Sequence, residues 1–366
     1  MPAITEVSSV LVTGGTGYLG AWVIATLLAR GHTVKAVVRS AGKGEALKDD
    51  LLQHISQNAS KKDGDIALDF VVIADLVKDG AFDDAVLGVD AVVHVASPAP
   101  NPGSTDPQET IKPAVDGTLG VLKSALRASQ RDSSYRLKRI VITSSIAAVW
   151  TPGPGARTFS EEDWNTQYVS EVEKLGSKTN PMAVYGASKV LAEKAAWDFY
   201  QAHKSEVQWD IAIINPPMVF GPAIQTPKSA SDLPTSLKLW WDSVVDGTES
   251  KPGAHPVSNS QGWVDARDIA EAHVRAMEVE EAGGERIIVS EGTYRFQEWL
   301  DLANKVGAEI YPGRRFPKGT PEVAEGESAS AVYYDTAKEK RILGIQYRTK
   351  EETTRDTLRW AAERKL

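Results

Sequence analysis

Apolar residues fall along this chain in two alternating rhythms. Short, nearly continuous runs stand at 10–12, 33–38, 67–73, 91–95, 139–143, 210–215 and 286–289. Between them lie longer stretches in which apolar positions recur every three or four residues, at 18–30, 45–55, 82–87, 110–131, 183–203, 237–245, 268–278 and 351–364. The first rhythm predicts strands buried on both faces and the second predicts helices. Strands without polar alternation, each followed by a helix, belong to a parallel sheet covered on both sides. The pattern therefore predicts an α/β chain with a doubly wound sheet. It loosens after Pro216-Pro217, and two stretches, 150–181 and 312–330, are dense in turn-forming or polar residues and read as loops. No linker separates two units.

Composition narrows the function by exclusion. The chain has 366 residues, enough for one large domain or two small ones. Its net charge of −8 argues against a broad nucleic-acid surface or an anionic membrane face. With no cysteine, thiol nucleophiles, disulfides and thiolate-bound metals are excluded. The six histidines show no metal-binding spacing, and no metal site is expected. No apolar run approaches the roughly 20 residues of a membrane span, and the first residues lack a signal-peptide pattern. A cytoplasmic location is expected, so the sequon Asn58-Ala59-Ser60 carries no expectation of a glycan.

The candidate chemistry begins at Thr13-Gly14-Gly15-Thr16-Gly17-Tyr18-Leu19-Gly20, between the first strand and the first helix. Glycines let a backbone turn tightly against a pyrophosphate, and a helix amino terminus offers it unpaired N–H groups. Gly14, Thr16, Gly17, Tyr18, Leu19 and Gly20 are the expected cofactor positions, and the fold is expected to be of the Rossmann type. At the end of the second strand, an acidic residue would bond the 2′-hydroxyl of NAD, whereas arginine accommodates the 2′-phosphate of NADP. Arg39 stands there, with Lys43 four residues on and no carboxylate between 33 and 44. A bland surface arginine is the competing reading. Asp75, after the third strand, suits either an adenine amino group or a helix cap.

Tyr185 and Lys189 share a helix face at i, i+4. An ammonium beside a phenol favours the phenolate, which brings a tyrosine within reach of general acid–base work. Alone, such a pair is usually just solvated. Here it follows Ser144 and Ser145, which stand past the fifth strand at the sheet edge where open α/β folds bind ligands. Either serine could hold a carbonyl oxygen against the tyrosine. Trp240 and Trp241 suit an aromatic pocket or a core. His94 reads as packed, and Asp265, Arg267 and Asp268 read as a structural brace.

These features together resemble the extended short-chain dehydrogenase/reductases. The narrower likeness is to the branch holding dihydroflavonol 4-reductase and the yeast-type methylglyoxal and carbonyl (aldehyde) reductases. Carrying it are the Gly14, Gly17 and Gly20 spacing, Val37-Val38-Arg39 with Lys43, Ala74-Asp75-Leu76 and His94-Val95-Ala96-Ser97-Pro98. So do Lys112 to Thr118, Thr143-Ser144-Ser145, Tyr185 to Trp197, Asn215 to Pro222, Trp263 to Ala270 and Leu343-Gly344-Ile345. The resemblance implies that Tyr185 protonates a carbonyl oxygen, that Lys189 stabilises its phenolate and bonds the nicotinamide ribose, and that Ser145 polarises the carbonyl, with Ser144 structural. It also implies that Arg39 and Lys43 hold the 2′-phosphate of NADP(H) and that Asp75 and Leu76 meet the adenine. Val95 and Ser97 would flank the ribose, and Pro216 to Val219 would lie along the nicotinamide.

The expected layout is an NADP-binding Rossmann domain at 1–220 and a mainly substrate-binding region at 221–366, with about 262–290 returning to the sheet. The expected activity is NADPH-dependent reduction of a small aldehyde or ketone by a monomer or homodimer. A hydroxysteroid dehydrogenase or a sugar-nucleotide epimerase/dehydratase is the alternative within the superfamily. A non-catalytic NADP-binding regulator is the more distant one. Neither 150–181 nor 223–262 carries a match that would choose the substrate.

Overall fold

The computed structural model describes residues 4–58, 66–97, 105–247, 261–319 and 331–366. Its first half alternates strand and helix except between β3 and β4: β1 (Ser9–Thr13), α1 (Tyr18–Ala29), β2 (Thr33–Val38), α2 (Ala41–Asn58), β3 (Leu68–Val72), β4 (Ala91–His94), α3 (Gln108–Arg131) and β5 (Arg139–Thr143). Then come β6 (Arg157–Phe159), α4 (Thr166–Leu175), α5 (Pro181–His203), β7 (Asp210–Asn215), β8 (Met218–Phe220), α6 (Thr235–Val244), β9 (Gln261–Asp265) and α7 (Ala266–Glu278). The chain closes with β10 (Arg286–Ile288), β11 (Gly292–Tyr294), α8 (Phe296–Ile310), β12 (Val332–Tyr334), α9 (Ala337–Ile342) and α10 (Lys350–Glu363).

Seven strands form one parallel sheet in the order β3-β2-β1-β4-β5-β7-β10. This is a Rossmann-type doubly wound sheet. From β1 the chain steps outward through β2 and β3, then crosses back to add β4 on the other side. The order therefore reverses between β1 and β4, and a crevice for ligands opens beyond their carboxyl ends. Period-two side-chain direction sorts the apolar runs into two cores. Val10, Val12, Val93, Val141 and Ile214 face α1 and α7, while Leu11, Val92, Ile140, Ile142, Ile211 and Ile213 face α3 and α5.

Past β7 the chain builds a smaller sheet, β11-β9-β8, over a third, aromatic core. Trp240 and Trp241 are each 1% exposed within it, so both are core. Trp263 meets Trp299 edge to face at 4.8 Å. Meanwhile β10 joins the main sheet beside β7, and α7 packs on α1.

The structure corrects several sequence expectations. Residues 82–87 form consecutive turns, not a helix. Gly80 and Gly88 bracket them with positive φ, and Asp83 is drawn to Ser124 and Arg127 of α3. The presumed loop at 150–181 contains β6 and α4. Helix α8 lay in a stretch assigned no element. The loop at 98–103, sequon residues Ala59 and Ser60, and much of 312–330 fall outside the described residues.

Candidate active site

At the end of β1 the Ala96 N–H donates to Thr13 Oγ1 at 3.1 Å, and the Thr13 hydroxyl meets His94 Nδ1 at 2.9 Å. Burial, aided by the Lys189 charge, pushes the His94 imidazole down to about 4, so it stays neutral while hydrogen-bonded to the threonine hydroxyl. This ties the segment after β4 to the glycine turn. Gly14 sits at φ +71, where a Cβ would come within 2.8 Å of the Ala96 nitrogen. A Cβ on Gly20 would stand 2.1 Å from the Gly14 carbonyl oxygen. Gly17 is exposed and begins α1 with no side-chain cap and no acidic residue in the first turn. The N–H groups of Tyr18, Leu19 and Gly20 thus have no acceptor within the helix, an arrangement suited to a diphosphate. Thr16 is half-buried beside them.

Arg39 and Lys43 are both exposed, one just past β2 and the other in the first turn of α2. Neither enters an ion pair among the described residues, so both charges remain available. Asp75 is exposed, and one of its oxygens accepts the Val77 N–H at 3.0 Å. That bond caps a turn and not the helix foreseen after it, and among the described residues the other oxygen has no partner. Leu76 and Val95 are half-buried against the two faces of the core.

Beyond β5 the two serines part. Ser144 is buried and its hydroxyl donates to Glu193 Oε2 at 2.5 Å. Ser145 is half-buried, and its Oγ accepts the Ala147 N–H at 3.1 Å, capping the short turn Ile146–Ala148. Among the described residues the Ser145 proton meets no acceptor.

Helix α5 begins at Pro181, capped by the Asn180 side chain, which accepts the Met182 N–H. It packs on the turn after Ser145, and Gly186 permits the approach: a Cβ there would stand 2.3 Å from the Tyr168 ring and 3.4 Å from the Ala147 carbonyl oxygen. The Lys189 ammonium lies 5.6 Å from the centre of the Tyr185 ring and donates to Ser97 Oγ at 3.0 Å. Lys189 is buried, and no carboxylate among the described residues lies within ion-pair distance of it. The Pro216 carbonyl accepts the Ile146 N–H at 3.0 Å, which brings the segment through Val219 alongside. The Tyr185–Lys189 pair and the turn that Ser145 caps therefore lie on elements packed together beyond the carboxyl end of β5.

The sequence profile of the NAD dependent epimerase/dehydratase family matches residues 10–290. The chain belongs to that family. Among epimerase/dehydratase relatives, a ketoreductase of Aspergillus niger is 33% identical over 346 residues, 93% of each chain. The dihydroflavonol 4-reductase of Arabidopsis thaliana is 33% identical over 288 residues, 78% of this chain and 66% of that one. The solved yeast methylglyoxal/isovaleraldehyde reductase complexed with NADPH superposes with a TM-score of 0.76 at 29% identity, over 96% of this chain and 98% of that one.

Two features of this family member were not anticipated from sequence. One is a clip over the glycine turn. The Tyr18 phenol donates to the Gly221 carbonyl at 2.6 Å, Trp22 Nε1 to the Pro222 carbonyl at 2.9 Å, and Gln225 Nε2 to the Gly17 carbonyl at 2.7 Å. Burial and the Asp265 charge raise the Tyr18 phenol far above its ordinary range, so it stays protonated. The Tyr18 hydroxyl proton is therefore committed to the Gly221 carbonyl and is not offered to a cofactor. The other is the buried Glu193–Arg286 pair behind the serines. The partners in both features lie far apart in sequence, and no local signal announces them.

Proposed function

We propose that the protein is an NADPH-dependent reductase of aldehydes or ketones, with Tyr185 as the proton donor. The observation that carries this reading is the Tyr185–Lys189 pair on α5, a helix packed on the turn that Ser145 caps, together with an uncapped glycine turn. The residues present fit the cofactor. A Cβ at Gly14 or Gly20 would disrupt the turn, the first-turn N–H groups of α1 suit the diphosphate, and Arg39 and Lys43 offer two unpaired cations for the 2′-phosphate. The NADPH in the yeast structure and the ketoreductase and methylglyoxal reductase names of the relatives agree. When bound, NADPH supplies the hydride that reduces the carbonyl carbon.

The protein's own part is to orient and to move a proton. Ser145 Oγ–H donates to the carbonyl oxygen and makes the carbon more electrophilic, while the Ala147 N–H holds the same Oγ from behind. Tyr185 gives its phenolic proton to that oxygen as negative charge develops. Lys189 faces the resulting phenolate with a charge that no carboxylate among the described residues neutralises. Its Nζ, now on Ser97, is also the group for the nicotinamide ribose, with Val95 on the ribose side. Asp75 and Leu76 serve the adenine, and Pro216 and Val219 flank the nicotinamide. The region from 221 onward shapes the substrate side. An epimerase reading is disfavoured because arginine, not a carboxylate, follows β2.

Tyr185→Phe should cut kcat by about a thousandfold, with NADPH affinity by fluorescence titration unchanged within about twofold. Near-normal turnover would sink the mechanism. Following NADPH oxidation with small aliphatic, aryl and bulky diketone substrates identifies the carbonyl class.

A further inference from the structure

Glu193 stands one helical turn past Lys189 on α5, with a fully buried side chain. A buried carboxylate persists only where charge and hydrogen bonds compensate it. Its Oε2 accepts from the Ser144 hydroxyl at 2.5 Å and from Asn215 Nδ2 at 2.9 Å, while Oε1 takes Arg286 Nε. The Asn215 amide also donates to the Ser145 carbonyl at 3.2 Å. Glu193 therefore grips the residue before Ser145 directly, and Ser145 itself through one intermediary.

The grip continues on the far side. Arg286 Nη1 donates to the carbonyls of Glu161 and Asp163, each at 2.7 Å, and its guanidinium stacks 3.8 Å over the Trp164 ring. That stretch leads into Asn165, whose amide donates to the Ala147 carbonyl at 3.1 Å, in the turn that Ser145 caps. Both flanks of Ser145 thus trace back to a single carboxylate.

We propose that Glu193 is the positioning residue for the Ser145 hydroxyl: clamped by Arg286, it sets the direction in which that hydroxyl meets the carbonyl oxygen. The proposal rests on the role given to Ser145 above. A carboxylate that merely offset the Arg286 charge would support the fold without acting through Ser145, and kinetics separates the two cases.

The test compares Glu193→Gln, Ser145→Ala and the double variant for kcat, KM and NADPH affinity. Glu193→Gln should lower kcat by about ten- to a hundredfold, with NADPH affinity within about twofold. In the Ser145→Ala background the same change should cost less than about twofold, because the hydroxyl it aims is gone. Equal losses in both backgrounds, or wild-type kcat in Glu193→Gln, would overturn the proposal and leave the Ser145 mechanism standing. Wild-type kcat in Ser145→Ala would overturn both. Should Glu193→Gln fail to fold around the uncompensated Arg286, Ser144→Ala takes its place. A kcat loss that vanishes in the Ser145→Ala background supports positioning; an additive loss, or none, overturns it.

Discussion

The Ser144 hydroxyl is committed to a carboxylate, whereas among the described residues the Ser145 proton meets no acceptor, and that contrast supports the different roles proposed for them. Sequence brought both serines, Tyr185 and Lys189 to the sheet edge, because strand ends and i, i+4 spacing are local properties. The residues alone left the two serines undivided, because Glu193, which takes one of them, lies 49 positions from Ser144. Only the family resemblance favoured Ser145. Arg39 was readable for the same local reason, since it directly follows an apolar strand. Replacing it tests that reading. Arg39→Asp should weaken NADPH binding at least about tenfold while altering NADH binding little, because one phosphate contact is lost and a repulsive charge is gained. Fluorescence titration with both nucleotides checks this, and equal losses would mean that Arg39 faces no phosphate.

Helix α1 and its glycine turn were the most legible element, since strand, turn and helix follow one another within the first 29 residues. The turn also tolerates least. Gly20→Ala sets a methyl group against the Gly14 carbonyl, where 2.1 Å is available. It should lower NADPH affinity at least about tenfold while the far-ultraviolet circular dichroism stays close to wild type. Undiminished binding would show that the turn has room to relax. Helices α4 and α8 were missed for different reasons. The apolar stripe of α4, Tyr168, Val172 and Leu175, is short and sits amid Gly, Pro and Thr. In α8, Phe296, Trp299, Leu300, Ala303 and Val306 do follow helical spacing, but aromatic Tyr294 just ahead blurs its start. At 82–87 the error ran the other way, because bracketing glycines cut an apolar-periodic stretch into turns.

Across the whole molecule, strand order and the wrapping of the carboxyl-terminal region were beyond local pattern, because they depend on which distant runs bury one another. The same burial has consequences in solution. His94 and His273 are pushed by desolvation to about 4, against an ordinary value of 6.5. A folded state that binds fewer protons than the unfolded chain loses stability in acid. Each histidine therefore contributes fully above about pH 6.5 and progressively less as pH falls toward 4, about 2 kcal/mol of it between pH 7 and pH 5. Asp268, pushed up to about 6 mainly by burial, acts in the opposite sense between its ordinary 3.8 and 6. A single-site comparison isolates the histidine effect. His94→Gln should lose about 2 kcal/mol less than wild type between those two pH values in urea denaturation. An unchanged slope would mean that the imidazole is not held neutral.

The bonds from Tyr18, Trp22 and Gln225 that join α1 to residues 221–225 also bear on how this chain can be recombined. A chimera that exchanges everything after β8 for a relative's sequence, to import another substrate range, keeps main-chain carbonyls at 221 and 222 for Tyr18 and Trp22 but loses the Gln225 side chain that holds the Gly17 carbonyl. Its crossover therefore seats best beyond Gln225, so that the whole clip stays with the half that carries the glycine turn.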